Sequence, residues 1–247
     1  MILNLYKQRG ETPLERIKRY KKDHPELKDE KFTYLGRLDP MAEGVLLVGT
    51  SEDTKEENKQ KFLHLDKEYE FVVLFGFATD SFDALGKIMR VEKIDDIKEV
   101  ELCKLAEVYV GKREQKYPPY SSKVRRWENR DEVDGDELPT KEVEIYSLVF
   151  EGLQTLSSKE LFGRLLMDIS KVQGDFRQNE VLIQWKNILA SLENTKMYLG
   201  RFKALVSSGT YVRSIANEMG KTLGCGALAL SIKRTKVGEW GEDGAER

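Results

Sequence analysis

The spacing of apolar residues changes along this chain between strand-like and helix-like patterns. Within Ser157–Leu199, apolar positions recur every three or four residues in two sets separated by Gly174, which predicts a pair of helices. Elsewhere, short runs rich in β-branched and aromatic residues predict strands. Because strands and helices do not alternate regularly, an α+β fold is expected and repeated βαβ units are not. The predicted strands are Gly44–Gly49, Tyr69–Phe75, Glu142–Phe150, Phe202–Val206 and Leu228–Val237.

Several helices should begin at recognisable capping residues. Thr12 followed by Pro13 predicts an N-cap and a first helical position. Asp95 or Asp96 is predicted to cap a second helix, and Asp53–Leu65 is expected to form a third.

Histidine and cysteine are scarce, which narrows the chemistry available to this chain. His24 and His64, its only histidines, lie at no ligand spacing from each other or from a cysteine, so neither a zinc site nor a Ser-His-Asp mechanism is supported. Cys103 and Cys225 are expected to be reduced and buried. Catalysis would then depend on carboxylate, Tyr, Arg and Lys side chains, with no metal or other cofactor.

The expected cellular location and the charge distribution constrain the function less than the scarcity of histidine and cysteine does. No apolar run is long enough to cross a bilayer, and Met1–Lys7 is too short and too soon charged for a signal peptide, so the cytoplasm is expected. The net charge is −2, yet basic residues outnumber acidic ones across Arg201–Lys236, while acids concentrate in Glu128–Glu137. This segregation is compatible with a basic RNA-binding face, although an ordinary solvated surface gives the same pattern.

The most distinctive motif spans Gly36–Leu46 and reads GRLDPMAEGVL. Taken alone, an Asp before Pro is usually only a turn residue. Further motifs downstream change that interpretation, since together with the first they resemble, in order, those of the TruB family of pseudouridine synthases. The downstream motifs are Lys67–Tyr69, Thr79–Gly86, Gln115–Lys123, Ser208–Ser214, Leu223–Ala227 and Ile232–Thr235.

The resemblance implies roles for individual residues. Asp39 would be the catalytic carboxylate, Tyr69 would stack on the target base, and Arg213 would pair with Asp39. Each also has a plain structural alternative, such as a core Tyr, a turn-capping Asp or a solvated cation. The further substrate-binding candidates are Tyr34, Lys67, Asp83, Ile232, Lys123 and Arg234, and additional candidates for phosphate contacts are Arg125, Arg126 and Lys233.

The resemblance also implies an architecture and a partner. We expect a single catalytic domain over 1–247, with a central, mostly antiparallel curved sheet flanked by helices and a helical insertion at about 157–199. A loop at about 120–140 is expected to contact RNA, and the C-terminal PUA-like domain common in this family is expected to be absent. The partner would be the T-arm of tRNA, with uridine 55 of the T-loop as target, no obligate protein partner and a monomeric state.

The position of Arg213 gives independent support for its pairing with an anion. If Thr210 caps the helix that follows, Arg213 lies in the first turn, where the positive helix end disfavours a cation without a compensating anion. A solvent-facing arginine is the alternative interpretation.

The chain departs from the family at two places near its N-terminus. Lys7–Pro13 keeps Lys7, Gly10 and Thr12 of the first family motif but lacks its first Pro and its Ser. Tyr34 stands where the family usually has a His that helps remodel the RNA loop. Tyr can still stack and form hydrogen bonds, so substrate engagement of altered strength is expected.

Two other functions are compatible with parts of the sequence. A non-catalytic module that binds or folds tRNA could use the same pocket, but it would not require Asp39, Tyr69 and Arg213 together. A glycosidase would need a second acid at a defined distance from the first, and the sequence identifies no such pair.

Overall fold

The computed structural model describes residues 1–121, 138–193 and 195–247. The strands are β1 (Ile2–Lys7), β2 (Phe32–Tyr34), β3 (Ala42–Thr50), β4 (Lys67–Phe75), β5 (Phe77–Thr79), β6 (Ile88–Val91), β7 (Gly111–Lys116), β8 (Thr140–Leu156), β9 (Met197–Val206), β10 (Ala227–Val237) and β11 (Trp240–Gly241). The helices are α1 (Pro13–Asp23), α2 (Glu56–Leu63), α3 (Glu99–Val108), α4 (Ser158–Ile169), α5 (Gln178–Ser191) and α6 (Val212–Leu223).

One large sheet has the strand order β1-β3-β10-β4-β9-β8-β7, with β2 added beside β3 and β11 beside β10. Its neighbours pair antiparallel except for β3 and β10, which run parallel. Strands β5 and β6 form a separate hairpin. The predicted α+β class with a mostly antiparallel sheet is therefore confirmed.

Helices cover both faces of this sheet. Along β10, Ala227 and Ala229 belong to a core cluster shared with α1, α3 and α6, whereas Leu228 and Leu230 belong to a second cluster shared with α4 and α5. Successive strand residues point to opposite faces, so the two clusters lie on opposite sides. The predicted helical pair is thus confirmed as α4 and α5, and it supplies the apolar cover of the second face.

The pair is shorter than predicted. It ends at Ser191, and Met197–Leu199, predicted to be helical, instead begin β9. These residues pair with the end of β8 and are buried, so sheet pairing prevails over the helical spacing. The predicted Asp53–Leu65 helix is likewise reduced to α2, which follows a short 3₁₀ turn at Ser51–Thr54.

One predicted cap is confirmed and two are wrong. The Thr12 hydroxyl accepts a hydrogen bond from the Glu15 amide at 3.3 Å, and the Glu15 carboxylate accepts from the Thr12 amide at 3.0 Å, which together form a capping box. Helix α3 begins at Glu99, after both predicted aspartates. Helix α6 begins at Val212 with Tyr211 at its N-cap position, so Thr210 lies one residue before the cap, where its hydroxyl donates to the Ser207 carbonyl at 2.9 Å.

The expectation of two buried cysteines is also wrong. Cys103 is exposed on α3, whose buried positions are Leu102, Leu105 and Ala106. Cys225 is half-buried. Across the described residues, no helix is both long and apolar enough to span a membrane.

The apolar contact of the insertion with the sheet can be tested at Trp185. This side chain is fully buried, and its indole nitrogen donates to the Ala84 carbonyl at 3.1 Å. Replacement Trp185→Ala should lower the free energy of unfolding by about 3–5 kcal/mol, since it leaves a cavity and an unpaired acceptor. Ile183→Ala, on the same helix at 61% exposure, should change it by less than about 0.5 kcal/mol. Urea titration followed by circular dichroism measures both, and equal losses would contradict this packing.

Candidate active site

A cavity of about 770 Å³ opens beside β3, β4 and β10. Its size lies within the usual range for small-ligand sites. It brings together most of the residues singled out from the sequence; Lys123, Arg125 and Arg126 lie outside the described residues. The predicted residues in its lining are Tyr34, Asp39, Lys67, Tyr69, Asp83, Arg213, Ile232 and Arg234.

Asp39 lies at the tip of the loop between β2 and β3. Leu35, Leu38 and Met41 of this loop are each buried, and each joins a different core cluster. The Asp39 carbonyl accepts from the Ala42 amide at 3.0 Å, so Asp39 does serve as a turn residue. Its side chain, 39% exposed, remains available to the cavity.

The Arg213 guanidinium fixes this carboxylate. Its Nε donates to Asp39 Oδ2 at 2.8 Å, Nη1 to the Ser81 carbonyl at 2.6 Å and Nη2 to the Tyr120 carbonyl at 3.0 Å. The side chain is only 4% exposed, so Arg213 is not a surface arginine. Burial by itself would lower the pKa of Arg213, but the carboxylates of Asp39 and Asp83 outweigh it and the pKa is raised. The site therefore holds a permanent cation beside Asp39.

The start of α6, which carries Arg213, is attached to the end of β7. Buried Gln115 accepts from the Tyr211 amide at 2.7 Å and donates to the Tyr211 carbonyl at 3.1 Å. The Ser214 hydroxyl donates to the Lys116 carbonyl at 3.0 Å. The sequence alone indicated no role for Gln115, although this residue begins one of the motifs.

Arg234 holds the Asp39 loop through hydrogen bonds to backbone carbonyls. It is 2% exposed, and its guanidinium donates to the carbonyls of Val45 at 2.8 Å and Arg37 at 3.0 Å. This arrangement favours positioning of the Asp39 loop over the phosphate contact expected from the sequence. Gly44 permits the close approach of β3 to Arg234 of β10, since a Cβ at position 44 would lie 2.2 Å from the Arg234 carbonyl oxygen. Lys233, another phosphate candidate, instead forms an ion pair with Glu242 at 2.6 Å.

Lys7 is a second buried basic residue that contacts the same loop. Its Nζ donates to the carbonyls of Ala42 at 2.5 Å, Gln8 at 3.0 Å and Pro40 at 3.4 Å, and the residue is 0% exposed. Burial lowers the pKa of Lys7 to about 7. Its place in a sequence motif was recognised, but its contact with the Asp39 loop was not.

Tyr69 and Ile232 form an apolar part of the cavity wall. Each is 8% exposed, and each also belongs to the core. Lys67, 6% exposed, donates to the Leu63 carbonyl at 3.1 Å and to the Leu65 carbonyl, which joins α2 to the start of β4. Burial lowers the pKa of Lys67 to about 8, and the nearby charge of Arg234 adds to this. Lys67 is therefore neither exposed nor a simple strand end.

Asp83 caps a turn, the structural alternative considered for it, and also faces Arg213. One oxygen accepts from the Ser81 hydroxyl at 2.6 Å and from the Leu85 amide at 3.0 Å, which is a turn-capping arrangement. The other oxygen lies 3.8 Å from Arg213 Nε. Complete burial raises the pKa of Asp83 even though Arg213 opposes the shift. Tyr34 is half-buried at the rim, with the Arg37 guanidinium 5.4 Å from its ring centroid.

The arrangement presents an accessible carboxylate, that of Asp39, held by a buried arginine against an aromatic wall. Such a group can act as a nucleophile or as a base on a bound substrate. In the part of the chain that the structure describes, no group of three or more His, Cys, Asp or Glu side chains is placed to hold a metal ion.

Comparisons with known proteins agree on one family. Residues 24–174, more than half of the chain, match the family described as TruB family pseudouridylate synthase (N terminal domain). The tRNA pseudouridine synthase B of Chloroherpeton thalassium is 27% identical over 221 residues, which cover 87% of this chain and 73% of that protein. The protein of the same name from Mycoplasma mobile is 29% identical over 241 residues, which cover 96% of this chain and 69% of that protein.

Solved structures share the fold. A chain of a Cbf5-Nop10-Gar1 complex matches with a TM-score of 0.59 at 21% identity, over 98% of this chain and 50% of that chain. A chain of an H/ACA RNP bound to a substrate RNA containing 2′-deoxyuridine gives a TM-score of 0.57 at 20% identity, over 98% and 49%. This chain thus spans about half the length of these structural relatives. It spans as little as 56% of a matching curated relative, the tRNA pseudouridine synthase B of Nitrosococcus oceani.

The lowered pKa of Lys7 predicts a pH-dependent stability. The folded value of about 7 lies below the ordinary 10.5, so between these values the unfolded chain binds more protons and stability rises with pH. This one group contributes at most about 1.4 kcal/mol per pH unit to the slope of the free energy of unfolding against pH. Urea titrations from pH 7 to 9.5 should show that contribution in the wild type and its loss in Lys7→Met. Parallel curves for the two proteins would mean that Lys7 is charged in the folded state throughout this range.

Proposed function

The chain belongs to the TruB family of pseudouridylate synthases, and we propose that it isomerises uridine to pseudouridine in tRNA with Asp39 as catalytic carboxylate. The observation that carries this proposal is the 2.8 Å pairing of Asp39 with buried Arg213 at the wall of the cavity. A carboxylate oriented by a buried guanidinium within a pocket is the group that such a reaction needs.

The reaction is a rearrangement whose atoms balance within one pocket. The bond between N1 of uracil and C1′ of ribose breaks, the detached base rotates, and a bond from C5 to C1′ forms. The hydrogen on C5 leaves as a proton, and N1 gains one. Asp39 acts on the sugar either by adding to C1′ or by removing the neighbouring proton to form a glycal, and the detached base stays enclosed until the carbon–carbon bond is made.

Tyr69 receives the base in this proposal. A uridine inside a stacked RNA loop must be flipped out, at a cost of roughly a few kcal/mol, before Asp39 can reach its sugar. The ring of Tyr69 offers a stacking face on the cavity wall beside Ile232, and its hydroxyl is assigned the removal of the C5 proton. Asp83 Oδ2 lies 3.8 Å from Arg213 Nε and helps to hold the guanidinium in place.

We propose the T-arm of tRNA as the substrate and uridine 55 of the T-loop as the target. Arg37 and Lys141 line the cavity together with the Thr12–Leu14 segment at the start of α1, and these groups face an incoming RNA loop. Cationic contacts of this kind position RNA without reading its sequence. Lys123, Arg125 and Arg126 remain predicted phosphate contacts. A cytoplasmic monomer without an obligate protein partner also remains a prediction.

A tRNA-binding module without catalysis is less well supported. Binding alone gives no reason to align one carboxylate with a buried guanidinium, an arrangement that takes a cation out of water. A glycosidase requires a second acid that can reach the scissile bond. Both oxygens of Asp83 face protein donors, and Asp175, the other acid of the lining, accepts from the Arg177 amide at 3.3 Å.

The role of Asp39 is tested by tritium release from a full-length tRNA transcript containing 5-tritiated uridine. Wild type should release tritium, because the C5 hydrogen is lost only when the base is reattached through carbon. Asp39→Asn should release it on the order of a thousandfold more slowly while it binds tRNA normally, since Asn keeps the shape but not the charge. Asp96→Asn, at an exposed position outside the cavity, is the matched control.

Other outcomes of this experiment identify the alternatives. A folded wild type that binds tRNA without releasing tritium would favour the binding module. Equal release by Asp39→Asn would remove Asp39 from the mechanism. Cleavage of simple glycosides without RNA would point to the glycosidase.

The two roles of Tyr69 separate in the variant Tyr69→Phe. The ring remains, so affinity for tRNA should stay within about threefold, because stacking needs only the aromatic face. Tritium release should fall by about 10²–10⁴-fold, the usual contribution of general acid–base catalysis. Filter binding and single-turnover tritium release measure the two quantities. A wild-type rate in this variant would assign the C5 proton to another group.

A further inference from the structure

The helical pair α4–α5 contributes directly to the cavity. The segment that connects these helices supplies Asp175, Phe176 and Arg177 to its lining. The side chain of Gln178 holds this segment in shape, because it accepts from the Phe176 amide at 2.9 Å and donates to the Val172 carbonyl at 3.0 Å. The insertion is therefore part of the site as well as cover for the sheet.

Arg177 makes the closest connection between the insertion and the catalytic region. It precedes α5 in a left-handed conformation, with φ 63° and ψ 26°. Its Nη2 donates to Asp80 Oδ2 at 3.1 Å, and its guanidinium lies 5.1 Å from the ring centroid of Tyr120. Both Arg177 and Asp80 have side chains only 18% exposed. The guanidinium is thus already engaged on two sides.

The two residues that Arg177 contacts lie in the two segments that hold Arg213. Arg213 donates to the carbonyl of Ser81, the residue after Asp80, and to the carbonyl of Tyr120 itself. Asp80 is also fixed by the Lys87 amide, which donates to its other oxygen at 2.8 Å. A displacement of Arg177 would therefore reach Arg213 through both of its backbone acceptors.

Ion pairs and close packing also attach the insertion to other parts of the protein. Arg9 pairs with Asp168 of α4 at 2.7 Å and with Glu43 of β3 at 2.6 Å. Gly10 packs so closely that a Cβ there would lie 2.4 Å from the Lys171 carbonyl oxygen, and its own carbonyl accepts from the Gln173 amide at 2.9 Å. The insertion is thus tied to the N-terminal segment and to the strand that follows Asp39.

We propose that Arg177 is a positioning residue of the reaction described above: it clamps the Asp80 and Tyr120 segments together and thereby sets the orientation of Arg213 and Asp39. This inference rests on the proposed function. The planar guanidinium suits the task, because it can form the ion pair and stack on the tyrosine ring at the same time.

The test compares Arg177→Gln, Arg177→Lys and, as matched control, Lys186→Gln at an exposed position of α5. Tritium release at saturating tRNA should fall about 10–100-fold in Arg177→Gln with KM within about threefold, because small displacements of reacting groups are costly to the rate. Arg177→Lys should recover part of the loss, since it keeps the ion pair but not the planar stack. Lys186→Gln should match wild type.

A double-variant cycle identifies the route of the effect. If Arg177 acts through Asp80, the double variant Asp80→Asn with Arg177→Gln should be little slower than the slower of the two single variants. Full additivity of the two losses would overturn this route.

A spectroscopic readout separates this inference from the proposed activity. The ¹⁵N-labelled Nε–H resonance of Arg213, assigned by its absence in Arg213→Lys, reports the bond to Asp39 without any turnover. It should shift or broaden in Arg177→Gln and stay unchanged in Lys186→Gln. Wild type that releases no tritium would count against the proposed function alone, whereas an unchanged resonance would count against the positioning role alone.

Two kinetic results would overturn the positioning role. A raised KM with unchanged kcat and a weaker salt dependence would make Arg177 a phosphate contact. Unchanged KM and kcat in Arg177→Gln, in an active wild-type background, would leave it without a role in the reaction.

Discussion

Taking the Arg213 guanidinium out of water is unfavourable unless acceptors replace its lost hydration, and this requirement organises the whole site. The acceptors come from three separate parts of the chain: the Asp39 loop, the turn between β5 and β6, and the segment after β7. The helix that carries Arg213 is in turn fixed by Gln115 at the end of β7. The geometry of one carboxylate therefore depends on the docking of elements far apart in sequence. Any of these elements could disturb the site without touching a substrate.

The loop that carries Asp39 is likewise held by buried side chains that donate hydrogen bonds to its backbone. Lys7 and Arg234 direct their side-chain N–H groups at backbone carbonyls on either side of Asp39, while three apolar side chains of the loop enter three core clusters. The hydrogen bonds from the charged guanidinium of Arg234 are stronger than those between neutral groups. The loop is consequently restrained where Asp39 must be placed, while the Asp39 carboxylate stays accessible from the cavity. The restraint comes both from polar contacts to the main chain and from the apolar side chains that enter the core clusters.

The sequence predicted much of the site and less of what holds it together. The motifs around Asp39, Tyr69 and Arg213 could be recognised, and the structure places all three at one cavity. Periodicity predicted α4 and α5, but their contact with the cavity depends on how two packed helices dock, which no local pattern encodes. The role of Arg234 was missed because a sequence does not distinguish an arginine that faces phosphate from one that faces carbonyls. Thr210 is not the cap because the helix starts one residue later, after Tyr211, whose amide is bound by the sequence-distant side chain of Gln115.

The placement of β10 has a consequence for how the protein is made. This strand, formed by Ala227–Val237, lies between β3 and β4, two strands that the ribosome completes long before it. Until β10 emerges, each of those strands carries an open edge capable of pairing with another chain. Arg234, which secures the Asp39 loop, arrives with the same strand. Closure of these two edges and support of the Asp39 loop by Arg234 therefore both depend on the same late segment of the chain.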